Sequence, residues 1–203
     1  EARRNIEKQY QGYGYPDVLV SHRLLETERP GQSQLVFVIQ EGVKSEVRKI
    51  LFEGNKAFSR VELKRELKTK QKGLFSFITK SGRIDAEKLQ LDLLHLEDFY
   101  RNHGYRMVRI DSARREAANN GRVDLVIPIH EGPKYTVRSA AFGKMTVFKP
   151  EELIPALSMV GGQVFSNKKV RDDVRMIRSY YGSRGYADAV VMPEMRDVSP
   201  GVV

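Results

Sequence analysis

One six-residue pattern occurs three times in this chain, and it limits what the chain can fold into. Tyr10-Gln-Gly-Tyr-Gly14-Tyr15 recurs ninety residues later as Tyr100-Arg-Asn-His-Gly104-Tyr105. It returns after a further eighty-one as Tyr181-Gly-Ser-Arg-Gly185-Tyr186. Other landmarks keep the ninety-residue step. Ile39-Gln-Glu-Gly42 returns as Ile129-His-Glu-Gly132, and Val47 and Phe52 return as Val137 and Phe142. Glu62, Leu63 and Leu67 return as Glu152, Leu153 and Leu157. Between Leu67 and Leu89 the middle repeat carries nine residues that the third lacks, which accounts for the shorter second step. Self-similarity at a fixed period marks tandem structural units. The spacing divides the chain into a partial unit over 1–42, a complete unit over 43–132, and a unit over 133–203 that is expected to lack its last strand.

The complete unit can be read element by element. Glu46–Phe52 reads as a strand, with Val47, Ile50 and Phe52 apolar and Gly54-Asn55 as a turn. Ser59-Arg-Val-Glu62 has capping-box spacing: the Ser hydroxyl takes a backbone N–H in the first turn while Glu62 reaches back. The helix is expected to run to about Lys68. Residues 70–83, with Phe75 and Phe77, read as a loop. Asp85 is placed to cap a second helix, whose stripe Leu89, Leu93, Leu96 and Tyr100 steps along one face. Val170, Val174, Ile177 and Tyr181 repeat the stripe in the third unit, and Ile6 and Tyr10 retain it in the first.

The recurrent pattern then has a physical reason. A helix can end on a glycine in the left-handed conformation, where the missing Cβ removes the steric penalty. In such a Schellman ending the residue after the glycine packs back on the last turn. Gly104 is expected to be that glycine and Tyr105 to contact Tyr100, which makes these tyrosines structural. Strands are expected next, over Arg106–Arg114 in the middle unit and Ala189–Met195 in the third. Asn119-Asn120-Gly121 turns the middle one into Arg122–Ile129, where Val123, Leu125, Ile127 and Ile129 alternate with the other face. Pro30-Gly31 is the matching turn in the first unit.

Each unit is thus strand–helix–helix–strand–strand, an α+β architecture in which two helices cover a small three-stranded sheet. Two prolines strain this reading. Pro128 cannot donate to a ladder and is expected at an unpaired or bulged place. Pro155 is expected to kink or shorten a helix over Pro150–Met159.

This order of elements, repeated at this length, resembles the POTRA (polypeptide-transport-associated) domain, in the form found in BamA-like outer-membrane β-barrel assembly factors. Two segments carry the likeness: Val47-Arg-Lys-Ile-Leu-Phe-Glu-Gly-Asn55-Lys-Ala-Phe-Ser59 and Asp92-Leu-Leu-His-Leu-Glu-Asp-Phe-Tyr100-Arg-Asn-His-Gly104-Tyr105. Phe75-Ser-Phe-Ile-Thr-Lys-Ser-Gly82 is similar to the loop of the third POTRA of such proteins, and Gly185-Tyr-Ala-Asp-Ala-Val-Val-Met-Pro193-Glu to the fourth. The resemblance implies a periplasmic arm of an outer-membrane protein in a Gram-negative bacterium, with a covalently linked C-terminal β-barrel absent from this chain. It implies unfolded outer-membrane protein precursors and accessory lipoproteins as partners, and no cofactor. Clients would join an open sheet edge by β-augmentation, in which backbone hydrogen bonds supply sequence-tolerant affinity. The implied edge is Arg106, Met107, Val108, Arg109, Ile110, Asp111 and Ser112, continuing to Arg114. Its arginines would also discourage uncontrolled edge pairing. The POTRA region of another transporter, or a structural spacer that binds no client, stands beside this reading.

Composition narrows the function further. The chain has no cysteine, so neither a disulfide framework nor a thiolate metal site is available. His22, His95, His103 and His130 are scattered without metal-ligand spacing. Glu97-Asp98, Glu151-Glu152 and Asp172-Asp173 are adjacent residues on predicted helices and point apart, which does not make a catalytic dyad. No phosphate-binding loop or nucleophile elbow is present, so an enzyme is not expected. The net charge is +9, and Lys64, Arg65, Lys68, Lys70 and Lys72 form a basic run. Phe75 and Phe77 lie near it on a loop rather than on a strand platform, so nucleic acid is not an expected partner. The anionic surface of a membrane suits the run better.

Overall fold

The computed structural model describes all residues except 16, 27–28, 30, 43–45, 70–85 and 120–121. The expected loop with Phe75 and Phe77, the Asp85 cap, Pro30, Lys70, Lys72 and the Asn120-Gly121 turn lie outside the described residues. The chain divides into two compact units, Glu1–His95 with Ile110–Ile129, and Leu96–Arg109 with His130–Val203.

In the first unit, helix α1 spans Ala2–Gly12 and is followed by Gly14 at φ 94°. Tyr15 N–H donates to the Tyr10 carbonyl at 3.1 Å, and the two rings meet edge to face at 5.9 Å. Strands β1, Leu19–Glu26, and β2, Ser33–Gln40, pair antiparallel from Leu19↔Gln40 to Glu26↔Ser33.

The sheet of the middle repeat follows from one hydrophobic strand. β6, Arg122–His130, is its centre. β3, Glu46–Glu53, runs parallel on one side, and β4, Arg109–Ile110, and β5, Arg114–Ala118, lie on the other. Alternation predicted that only Val123, Leu125, Ile127 and Ile129 face inward. In fact Asp124 and Val126 are buried, while Val123 is only half-buried. The strand expected over Arg106–Arg114 is interrupted: residues 106–108 form the turn after helix α3, Ala86–Asn102, and residues 111–113 are irregular. Val108 N–H donates to the Tyr105 carbonyl at 3.1 Å, which holds that turn. Pro128 lies past the last β5–β6 pair, Arg114↔Val126, and its carbonyl accepts from Asp111 N–H at 3.1 Å. No bulge forms there. The register shift falls between Val47 and Lys49 instead.

That bulge has an electrostatic partner. Arg48 Nε and Nη2 donate to the two Asp124 carboxylate oxygens at 2.8 and 2.5 Å. The doubly bonded guanidinium holds the Asp124 carboxyl below its ordinary value, 3.8. A carboxyl depressed in the folded state contributes stability above its unfolded pKa and loses it as pH falls through the folded value. Unfolding in urea between pH 5 and pH 2, by circular dichroism, is therefore expected to show stability falling below about pH 4. Arg48→Met is expected to flatten that fall, and an unchanged slope in this variant contradicts the assignment.

Helix α2, Arg60–Glu66, starts on the predicted capping box: Ser59 N–H donates to Glu62 Oε2 at 2.8 Å, and Glu62 N–H to Ser59 Oγ at 3.3 Å. It ends before Lys68, because the Lys68 and Thr69 N–H groups turn to the Asp92 carboxylate at 2.8 and 2.7 Å. Val47, Ile50, Phe52, Leu63, Leu67 and Leu93 are buried in this unit.

The second unit has its own core of Tyr135, Val137, Met159 and Phe165, bordered by Val170, Met195 and Val203. Helix α4 is only Pro150–Leu153 and passes into a 3-10 turn at Ile154–Ala156. The helix expected to Met159 stops there, since Pro155 has no N–H to continue the ladder. Helix α5, Asn167–Gly182, carries the third stripe. The strand expected over Ala189–Met195 does not form, and of 133–143 only Thr136 enters a bridge. Strand backbone needs a neighbour for its N–H and C=O groups. Val202 and Val203 take the place of the start of β6. Thr136↔Val202 is parallel, Arg138 N–H donates to Val203 O at 2.7 Å, and Val203 N–H to Thr136 O at 3.0 Å. This matches the register of Glu46↔Arg122 in the middle sheet.

Candidate strand-binding edge

The outer side of β4 and β5 pairs with no other strand among the described residues. β5 has exposed side chains from Arg114 to Ala117. Arg114 pairs with Glu53 at 2.7 Å and Arg115 with Asp17 at 2.8 Å, both at the surface. Exposed pairs of this kind add little stability, but they hold two long cationic side chains beside the open backbone.

The residues implied at sequence level occupy three settings. Arg109 and Ile110 form β4, and Asp111 bonds back to β6. Ser112 is exposed in the irregular stretch between β4 and β5. Arg106, Met107 and Val108 lie in the turn before the sheet. Met107 is 58% exposed and Val108 is buried. Arg106 is committed elsewhere: Nη1 lies 2.5 Å from Asp197 Oδ1, and the guanidinium sits 5.3 Å from the centre of the Tyr135 ring. The regular part of the outer edge is therefore β5, Arg114–Ala118, which begins where the stretch implied by the family resemblance, 106–114, ends. Of the basic run, Lys64 and Arg65 lie on the last turn of α2, and Lys68 follows it, exposed.

What holds the end of α3 was partly invisible in the sequence. Tyr100 is fully buried, and its hydroxyl donates to Glu131 Oε1 at 3.0 Å. Burial, reinforced by the Glu131 carboxylate, pushes the Tyr100 phenol well above its usual range. Tyr10 makes the same bond to Glu41, ninety residues earlier. The repeated Tyr and the repeated Glu-Gly are thus two halves of one contact, which ties a helix end to the strand end that follows. The end of α3 is anchored further within the second unit. Tyr135 N–H donates to Gly104 O at 2.8 Å, Lys168 N–H to Asn102 Oδ1 at 2.8 Å, and Arg171 approaches Asp98 at 3.3 Å.

The shared role of Asp92 and its repeat mate does not follow from the segment or the acidic pair in which they stand. Asp173, eighty-one residues on, accepts from Ser158 and Met159 N–H at 2.7 and 2.9 Å, as Asp92 does from Lys68 and Thr69. The ninety-to-eighty-one alignment of the repeats would have paired these two aspartates.

Among the described residues no helix is long and apolar enough to cross a membrane. Nor do three or more His, Asp or Glu side chains among them converge as a metal site would require.

A family model described as POTRA, surface antigen variable number repeat, matches residues 45–132 and 135–202. The chain is 24% identical over 192 residues to the outer membrane protein assembly factor BamA of Nitratidesulfovibrio vulgaris, covering 93% of this chain and 24% of that protein. It is 25% identical over 189 residues to the BamA of Neisseria meningitidis serogroup B, covering 92% and 24%. It spans about a quarter of the length of these curated relatives. The crystal structure of Haemophilus influenzae BamA POTRA3-5 superposes with a TM-score of 0.60 at 14% identity, covering 98% of this chain and 74% of that one. At that identity the likeness concerns the fold.

Proposed function

The chain belongs to the POTRA family, and from this we propose that it serves as a periplasmic arm of an outer-membrane barrel-assembly factor, receiving unfolded β-barrel precursors by strand addition. The observation that carries the proposal is the outer edge of β5, Arg114–Ala118, laid on a buried central strand. Antiparallel pairing with β6 holds the backbone of β5 extended, so an incoming strand meets donors and acceptors already spaced for pairing. Such pairing reads the backbone and tolerates varied side chains, which suits clients defined by strand propensity. Arg114 and Arg115 guard the edge against indiscriminate association. Accessory lipoproteins of the assembly complex are the second partner class of this reading, and the names of the relatives support the role. It requires no bond-making chemistry of the chain.

Titration of the intact, isotope-labelled chain with an unfolded outer-membrane barrel peptide tests this. Amide shifts concentrated in 114–118, and lost when alternate peptide nitrogens are methylated, are expected. Absence of shifts up to millimolar peptide, or shifts indifferent to methylation, overturns client capture at this edge and leaves a spacer role.

A further inference from the structure

Ion pairs bridge the first and middle repeats at two places, and the middle and third repeats at two more. At the first joint Lys8 on α1 reaches Glu87 on α3 at 2.9 Å, and Asp17 reaches Arg115 on β5 at 2.8 Å. At the second joint Asp98 on α3 reaches Arg171 on α5 at 3.3 Å, and Arg106 reaches Asp197 at 2.5 Å.

The positions correspond. Asp98 stands ninety residues after Lys8, and Arg171 lies one helical turn beyond Lys168, the counterpart of Glu87. Arg106 and Asp197 adjoin Met107 and Arg196, the counterparts of Asp17 and Arg115. The local frame is shared as well. A Cβ on Gly42 would lie 3.3 Å from the Asp17 carbonyl, and one on Gly132 would lie 3.6 Å from the Met107 carbonyl. Yet the signs are reversed at both places. Between the helices, cation meets anion at the first joint and anion meets cation at the second. Beyond the Gly-Tyr ending, anion meets cation first and cation meets anion next.

Such a reversal discriminates between neighbours. At the second joint Tyr135 N–H donates to Gly104 O and Lys168 N–H to Asn102 Oδ1, both at 2.8 Å, and a backbone donor carries no identity. Exposed ion pairs add little stability, but like charges at the same places disfavour a wrong neighbour. Were the middle repeat to dock on the middle repeat of a second copy, Asp98 would face Glu87 and Arg106 would face Arg115. Were the first to dock on the third, Lys8 would face Arg171 and Asp17 would face Asp197. Of these pairings, the order along the chain alone brings opposite charges together at both places.

We propose that these alternating pairs are the surface by which each repeat recognises its own neighbour and rejects the next but one or a second copy. The proposal concerns how the repeats join, and it stands independently of strand capture at β5.

Amide hydrogen exchange of the intact, isotope-labelled chain tests it at the second joint. D98R gives the middle repeat the sign that the first carries at Lys8, and R171D gives the third the sign that the middle carries at Glu87. Each alone sets like charges together, and the Tyr135 and Lys168 amides are then expected to exchange about fivefold faster. D98R/R171D installs the polarity of the first joint and is expected to return both amides to within about twofold of the unaltered chain. The differences are expected to shrink in about 1 M salt. The Ser158 and Met159 amides, held by Asp173 inside the third repeat, are expected to stay unchanged throughout. No acceleration in the single variants, no recovery in the double, or equal acceleration at Ser158 and Met159 overturns the proposal. So does an effect that salt leaves intact.

Discussion

Replacing Asp92 by alanine is expected to cost about 3–6 kcal/mol of stability, since a hydrogen bond to a charged group contributes roughly 1.5–3 kcal/mol and two are lost. Asp92 is 0% exposed, and its two oxygens take the Lys68 and Thr69 N–H groups at 2.8 and 2.7 Å. Those donors stand where α2 has ended and have no carbonyl partner of the helical ladder. Without the carboxylate the Thr69 N–H is left buried and unsatisfied, and α2 loses its tie to α3. Asp92→Asn keeps an acceptor and is expected to lose less than Asp92→Ala. Asp173→Ala is expected to repeat the effect at Ser158 and Met159. Urea unfolding followed by circular dichroism gives the magnitude, and faster hydrogen exchange at Lys68 and Thr69 gives the location. A change in stability within about 0.5 kcal/mol, the range of ordinary surface substitutions, removes Asp92 from this role.

The second large effect is expected at Gly104, with Gly185 as its internal control. Both close a Schellman ending, at φ 100° and 90°. In each, the following tyrosine N–H donates back to the tyrosine at the helix end at 3.0 Å. An L side chain in this region costs about 1–3 kcal/mol at either position. A Cβ on Gly185 meets nothing within 4 Å, so Gly185→Ala is expected to show that backbone cost alone. A Cβ on Gly104 lies 2.8 Å from Val164 Cγ1, 2.9 Å from Lys134 Cγ and 3.2 Å from the Tyr135 carbonyl. Gly104→Ala must also displace that packing, adding about 1–3 kcal/mol in the manner of an overfilled core. Its Tm is expected to drop well below that of Gly185→Ala. Equal drops indicate that the end of α3 is not held against residues 134–164 as described.

Local order was legible wherever adjacent residues decide it. The Ser59–Glu62 box, the three glycine endings and the apolar stripe of α3 depend on interactions within a few positions, and repetition made each more than a chance match. Tyr100 against Tyr105, with centroids 5.6 Å apart, and Tyr181 against Tyr186, at 6.2 Å, stand as the spacing required. The extent of Arg60–Glu66 was not legible, because an aspartate twenty-four residues away takes the amides that would have continued the helix.

The edge shows the same division. Its place beside Arg122–Ile129 followed from the order of elements, but its span did not. Arg106 reads as an edge guard by proximity in sequence, yet it is drawn to Asp197, ninety-one residues distant, and to the face of Tyr135. The sequence by itself determined the repeat, the α+β class and the helix endings, since periodic burial and left-handed glycine are properties of short windows. Tertiary structure alone decided which stretches of strand-like sequence become strands. Arg114–Ala118 does so because it pairs along its length with the buried β6, and a strand's hydrogen bonds belong to its neighbour, which no local pattern can supply.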